Sequence, residues 1–138
     1  MTDPRPDPSA PMQWHDGLLL GYAPMDAVHE EFVQAVQALQ TAPDAELPAR
    51  LQALADHALS HFGEEDRWME DTQFPARECH INEHAAVMKS VREVQDLLAQ
   101  GNTAVCRRLG QELANWFPGH ADYLDSALAH WMCKQRLG

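Results

Sequence analysis

The stretch LPARLQALADHALSHFGEEDRW, residues 47–68, decides the fold. Residues three and four apart share one face of a helix, and Leu47, Leu51, Leu54, Ala58, His61, Glu65 and Trp68 follow that alternation without a break. The apolar stripe thus runs into a histidine and a glutamate where aliphatic side chains are expected, so both polar groups point into a core. Burying a carboxylate is costly without a partner, and no Lys or Arg stands on the stripe to pair with Glu65. The segment therefore calls for a cation from outside the chain.

Three further stripes repeat the pattern. His29, Phe32, Val36 and Leu39 form one; His80, His84, Val87, Val91, Val94 and Leu98 form another; Val105, Leu109, Leu113, Trp116 and His120 form the last. Asp26 is suited to cap the first helix, and Pro43-Asp44 separates it from a second helix running from about Ala45 to Glu70. Phe74-Pro75 breaks the chain again, a third helix runs to about Ala99, Gly101 takes the position favoured after a helix end, and Asn102 can cap the fourth. Short connections between helices of this length force antiparallel neighbours. The expected fold is all-α, an up-down-up-down antiparallel four-helix bundle. Ahead of it, Trp14 to Pro24 is too short and Gly-punctuated for a helix and is expected to lie across the bundle as an arm, with Trp14 and Leu19 tucked in.

Pro4, Pro6, Pro8 and Pro11 among small and polar residues predict a disordered tail over residues 1–11, leaving residues 12–138 as one domain. A length of 138 residues at 45% hydrophobic content suits a single core. The formal net charge of -11 argues against nucleic acid and other polyanionic partners. Cys79, Cys106 and Cys133 are odd in number and form no C-x-x-C pair, which suits a reducing compartment and makes the cytoplasm the expected location. No apolar run reaches membrane-span length, and the start of the sequence lacks the basic and apolar regions of a signal peptide, so no membrane insertion is expected.

His61-x-x-x-Glu65 and His80-x-x-x-His84 are i,i+4 pairs, each able to reach one centre from one helical face. Each pair is a weak signal alone; five histidines on four inward stripes are not. Glu-x-x-His, the motif of the ferritin-like carboxylate bundles, does not occur, nor does the H-E-x-x-H of zinc proteases. Imidazole-rich sets suit iron, copper and zinc.

Four segments together resemble the hemerythrins: His29 within MDAVHEEF, HFGEE from His61 to Glu65, His80-x-x-x-His84, and WFPGHADYLD from Trp116 to Asp125. The resemblance covers about Trp14 to Trp131, includes QWHDGLLLGY as an N-terminal arm, and looks closest to single-domain bacterial members. It implies two non-heme irons joined by an oxo or hydroxo bridge. One would be bound by His80, His84 and His120 and the other by His29 and His61, with Glu65 and Asp125 bridging both. It also implies dioxygen as partner, bound reversibly by a carrier, store or delivery protein rather than an enzyme. A diiron oxygen- or peroxide-reducing enzyme, a sensor of oxygen, nitric oxide or iron, and a zinc-stapled structural bundle are the alternatives.

The assignment of Asp125 rests on the resemblance, because five residues after His120 is about 140° around a regular α-helix. A local π turn would bring it round, and Pro118-Gly119 loosens the helix just upstream. Phe32, Trp116, Phe117 and Leu124 are expected to line an oxygen pocket. His57, one turn before His61, is either a proton donor beside the centre or a sixth imidazole or, as the favoured reading, a hydrogen-bonded boundary histidine. His15 and His130 are read as surface residues, Cys79 as pointing away from the centre, and Glu30-Glu31, Glu64 and Asp66 as solvated.

Overall fold

The computed structural model describes residues 11–137. Of the expected tail, residues 1–10 lie outside the described residues, and Pro11 is exposed. Three helices, α1 (Ala23–Thr41), α2 (Leu47–Asp71) and α3 (Arg77–Ala99), are followed by a fourth rod. That rod consists of α4 (Thr103–His120), a π-helical segment (Ala121–Asp125) and α5 (Ser126–Leu137). Packing runs α1 on α2, α2 on α3, α3 on α4 and α4 back on α1. The connections are too short for anything but antiparallel neighbours, and the all-α, up-down-up-down four-helix bundle follows.

Helix ends follow local chemistry with one exception. Gly101 adopts a positive φ of 94° after α3, a conformation that costs glycine nothing. The Asn102 side chain accepts the Val105 amide hydrogen at 3.1 Å, capping α4. Asp26 is the exception: α1 begins at Ala23 with Tyr22 at its N-cap and Pro24 in its first turn, because proline's fixed φ already suits that position. The Asp26 carboxylate instead reaches back to the entering chain, accepting from the Leu20 amide at 2.8 Å and the Gly21 amide at 3.1 Å.

The arm crosses the bundle with a different residue tucked in. A 3-10 turn at Asp16–Leu18 rotates Leu18 inward, while Leu19 is 51% exposed and Trp14 only half-buried. The Met12 amide donates to Gln40 Oε1 at 2.7 Å and ties the arm to α1.

The core falls into two apolar clusters. The larger takes in Phe32, Val36, Leu39, Leu51, Leu54, Phe62, Val91, Leu109, Leu113 and Phe117; the smaller takes in Tyr22, Met25, Met69, Phe74, Leu128, Ala129 and Met132. On every rod, buried polar residues lie where the chain passes from one cluster to the other: His29 on α1, His61 and Glu65 on α2, His80 and His84 on α3, and His120 and Asp125 on the fourth. A polar layer thus crosses the bundle between two dry ones. No helix among the described residues is long and apolar enough to cross a membrane.

The arm's anchoring can be checked by denaturation at fixed metal content. Leu18→Ala removes buried methyl groups and should cost about 2 kcal/mol, whereas Leu19→Ala should stay within about 0.5 kcal/mol of the parent. Equal urea midpoints for the two variants would contradict this packing.

Candidate metal centre

All seven residues singled out from the sequence come together. His29, His61, Glu65, His80, His84, His120 and Asp125 are each no more than 4% exposed, and their ligand atoms form two overlapping groups. Glu65, His80, His84, His120 and Asp125 make one, and His29, His61 and Glu65 make the other; within each, one atom per residue lies within 4.8 Å of all the rest.

Asp125 joins because the helix widens. The Ser126 amide donates to Ala121 O, five residues back, and a turn closed at i+5 brings residues five apart over one another. Asp125 Oδ1 stands 3.1 Å from His120 Nε2. Pro118, lacking an amide hydrogen for Ala114 O, is carried within α4 just upstream.

The two carboxylates divide their oxygens between the two imidazole sets. Glu65 Oε2 is 2.7 Å from His61 Nε2 and 3.1 Å from His29 Nε2, while its Oε1 faces His84 Nε2 at 3.4 Å and His80 Nε2 at 3.6 Å. Asp125 Oδ2 lies 3.2 Å from His29 Nε2, and its Oδ1 lies 2.9 Å from His80 Nε2. Each carboxylate therefore has one oxygen for each set, and every imidazole turns its Nε2 inward. Glu65 Oε1, both Asp125 oxygens and the Nε2 atoms of His80, His84 and His120 are buried without a hydrogen bond of proper geometry. Such a crowd of buried lone pairs is costly, and inward-facing imidazole and carboxylate donors fit metal cations.

Without metal, protons hold the layer together. Burial works against a charged His29, but the adjacent carboxylates of Asp125 and Glu65 keep its pKa up at about 9. Burial likewise opposes a charged His84, and Asp66 and Glu65 raise it to about 9. Burial would push the Glu65 carboxyl up, as would the neighbouring Asp125 charge, yet the close imidazoles of His29, His61 and His84 hold it far below the ordinary range. Asp125 is lowered too: burial opposes, and the close imidazoles of His120, His29 and His80 prevail.

Two further carboxylates touch the layer, and sequence reasoning missed both. Asp66 Oδ1 accepts from His84 Nδ1 at 2.8 Å. Glu83 Oε1 accepts from His120 Nδ1 at 2.8 Å and from Trp116 Nε1 at 2.9 Å. Asp66, which its charge run marks as solvated, keeps 30% of its side chain exposed while it pairs with His84. The available signal was adjacency, since each stands one residue from an inward-facing residue, next to Glu65 and to His84 respectively.

Aromatic rings wall the centre. Phe117 meets His29 edge-on at 5.1 Å, Phe32 meets His61 at 5.9 Å, Phe62 stacks on His84 at 4.2 Å, and Trp116 stacks on His120 at 4.3 Å. Leu124 is half-buried and belongs to neither apolar cluster, because the π turn gives the inward place to its neighbour Asp125. His57 stays at the boundary, where its Nε2 donates to Val28 O at 3.2 Å and its ring packs 5.8 Å from that of His61. Burial and the nearby His61 lower its pKa. His15, His130 and Cys79 are exposed.

The proton-held layer gives the metal-free protein a defined pH profile. His29 and His84 are raised from 6.5 to about 9, so their contribution is complete below pH 6.5 and fades as pH climbs to about 9. Glu65 and Asp125 are lowered from 4.5 and 3.8, so theirs is present above those values and lost in acid. Chelator-treated protein should therefore be most resistant to urea between about pH 4.5 and 6.5. A urea midpoint that rises from pH 6 to pH 9 would refute this balance.

Comparison with known proteins agrees with the geometry. Residues 20–131 match the family model described as the hemerythrin HHE cation binding domain. A bacteriohemerythrin of Ralstonia nicotianae is 39% identical over 124 residues, covering 90% of each chain. Another from Stenotrophomonas maltophilia is 26% identical over 84% of this chain and 78% of its own, and one from Pseudomonas paraeruginosa is 28% identical over 89% and 85%. Four helices bearing a shared layer of inward imidazoles and carboxylates, together with this match, place the chain in the hemerythrin family.

Proposed function

We propose that the protein binds dioxygen reversibly at a non-heme diiron centre and acts as an oxygen carrier, store or delivery protein. His80, His84 and His120 hold one iron, His29 and His61 hold the other, and Glu65 and Asp125 bridge the pair. The observation that carries this reading is the division of each carboxylate's oxygens between the two imidazole sets, which serves two cations better than one. An oxo or hydroxo bridge would offset more of the charge, since two carboxylates offset only part of that of a ferrous pair. Bound there, iron supplies the reversible affinity for dioxygen. The cytoplasm suits the three unpaired thiols.

The chain's own contribution is to keep the two-histidine side dry. That side has one imidazole fewer, which leaves room for an external ligand. Phe32 and Phe117, each 1% exposed, close over it and donate no hydrogen bond. Cleaving an O–O bond requires protons, and a wall of phenyl rings supplies none. His57, the nearest further imidazole, commits its Nε2 to the Val28 carbonyl. Binding and release are therefore favoured over reduction, which argues for a carrier over an oxidase or peroxidase.

Purified protein should hold two irons per chain, and His80→Ala or His120→Ala should empty at least one position. One zinc per chain, retained in both variants, would defeat the assignment.

Function is tested by cycling. The anaerobically reduced protein is exposed to oxygen and the gas is then removed; recovery of the deoxy spectrum over repeated cycles is expected. Prompt, irreversible oxidation with peroxide consumed under a reductant would instead mark an enzyme. His57→Phe should leave the autoxidation rate within about twofold of the parent, because the ring does not enter the ligand layer.

A further inference from the structure

Two of the five inward imidazoles are held in the same way, and both belong to the three-histidine set. His84 lies under the stacked ring of Phe62, with interplanar angle 6°, and donates its Nδ1 hydrogen to Asp66. His120 lies under the stacked ring of Trp116 and donates its Nδ1 hydrogen to Glu83, whose same oxygen is steadied by the Trp116 indole. The third imidazole of that set, His80, has a buried Nδ1 without a hydrogen-bond partner, and on the other side Nδ1 of both His29 and His61 is likewise buried and unpartnered among the described residues. Asp66 and Glu83 thus put two negative charges behind one metal position and none behind the other.

We infer that Asp66 and Glu83 are positioning residues that make the His80–His84–His120 position the tighter of the two, so that the centre fills there first and empties there last. This rests on the diiron reading above. A carboxylate on the far nitrogen fixes the tautomer that leaves Nε2 free, orients the ring and makes it a stronger donor. The stacked rings add orientation that a flexible imidazole would otherwise have to lose entropy to reach. Partners of this kind typically change metal affinity 10–100-fold. Asp66 and Glu83 are 30% and 34% exposed, so water screens their fields and about tenfold each is the expected size. His29 and His61 carry no such support, and their iron is the labile one.

The test is equilibrium competition between the reduced diiron protein and a ferrous chelator under anaerobic conditions. Wild type should release its irons in two steps, the first at a chelator concentration at least about tenfold below the second. Glu83→Gln and Asp66→Asn keep size while removing charge, and each should bring the second step about tenfold closer to the first while leaving the first in place. The first release step, unmoved in the variants, separates this effect from a loosened fold, which would move both steps. Should either variant fail to fold, wild-type crystals depleted to one iron decide the matter, with the anomalous peak expected among His80, His84 and His120. A peak between His29 and His61, a single release step in wild type, or equal shifts of both steps in the variants would overturn the inference and leave the diiron reading standing. Protein that takes up no iron pair at all would overturn the diiron reading itself.

Discussion

Two buried carboxylates set the terms for this structure. Glu65 and Asp125 are 1% and 0% exposed, and no lysine or arginine pairs with either among the described residues. An ionised carboxylate moved from water into a core is tolerated only when charge and hydrogen bonds replace its solvent. Five imidazoles do that here, and each is deliverable only if its helix presents the right face at the right height. The register of all four rods is therefore tied to one plane. The apolar stripes above and below fill whatever lies on either side of that plane, which is why the core divides into two clusters.

The same constraint accounts for the least regular stretch of the chain. A regular α-helix after His120 would turn Asp125 well away from the layer, and the second carboxylate would be lost. The widened turn at Ala121–Asp125 gives up regular backbone geometry to bring it in. Wide turns of this kind cluster at functional sites because the local cost persists only where something is gained from the displaced side chain. Pro118, which removes a ladder hydrogen bond one turn earlier, lowers the cost of the departure, since that part of the helix is already less strongly held.

How much of this could be read from the sequence follows from the same physics. Stripes of 3.6 periodicity are set by burial, and burial decided both the helices and the inward course of His29, His61, Glu65, His80, His84 and His120. Asp125 lay off its stripe and came only through family resemblance, because periodicity assumes the regular helix that the π turn breaks. Asp66 and Glu83 escaped because a carboxylate beside an inward residue looks the same in sequence whether it meets water or a histidine on the next helix. Asp26 and Leu19 were misplaced for a different reason: helix starts and short arms are governed by single-residue rotations, such as the 3-10 turn that exchanges Leu18 for Leu19.

The surroundings of the layer are divided as sharply as the layer is shared. Behind His84 and His120 stand carboxylates that still touch solvent, so that side is coupled to the charged surface. In front of His29 and His61 stand Phe32 and Phe117, which meet each other at 5.0 Å between ring centroids. A small apolar gas loses nothing by entering such a place, whereas a proton or an ion would forfeit its hydration. On the proposed function, polar support on one side and an apolar wall on the other would let one centre combine firm metal retention with a gas site short of protons. Glu65 and Asp125, each with one oxygen toward either imidazole set, would couple the two proposed positions while the helices keep their environments apart.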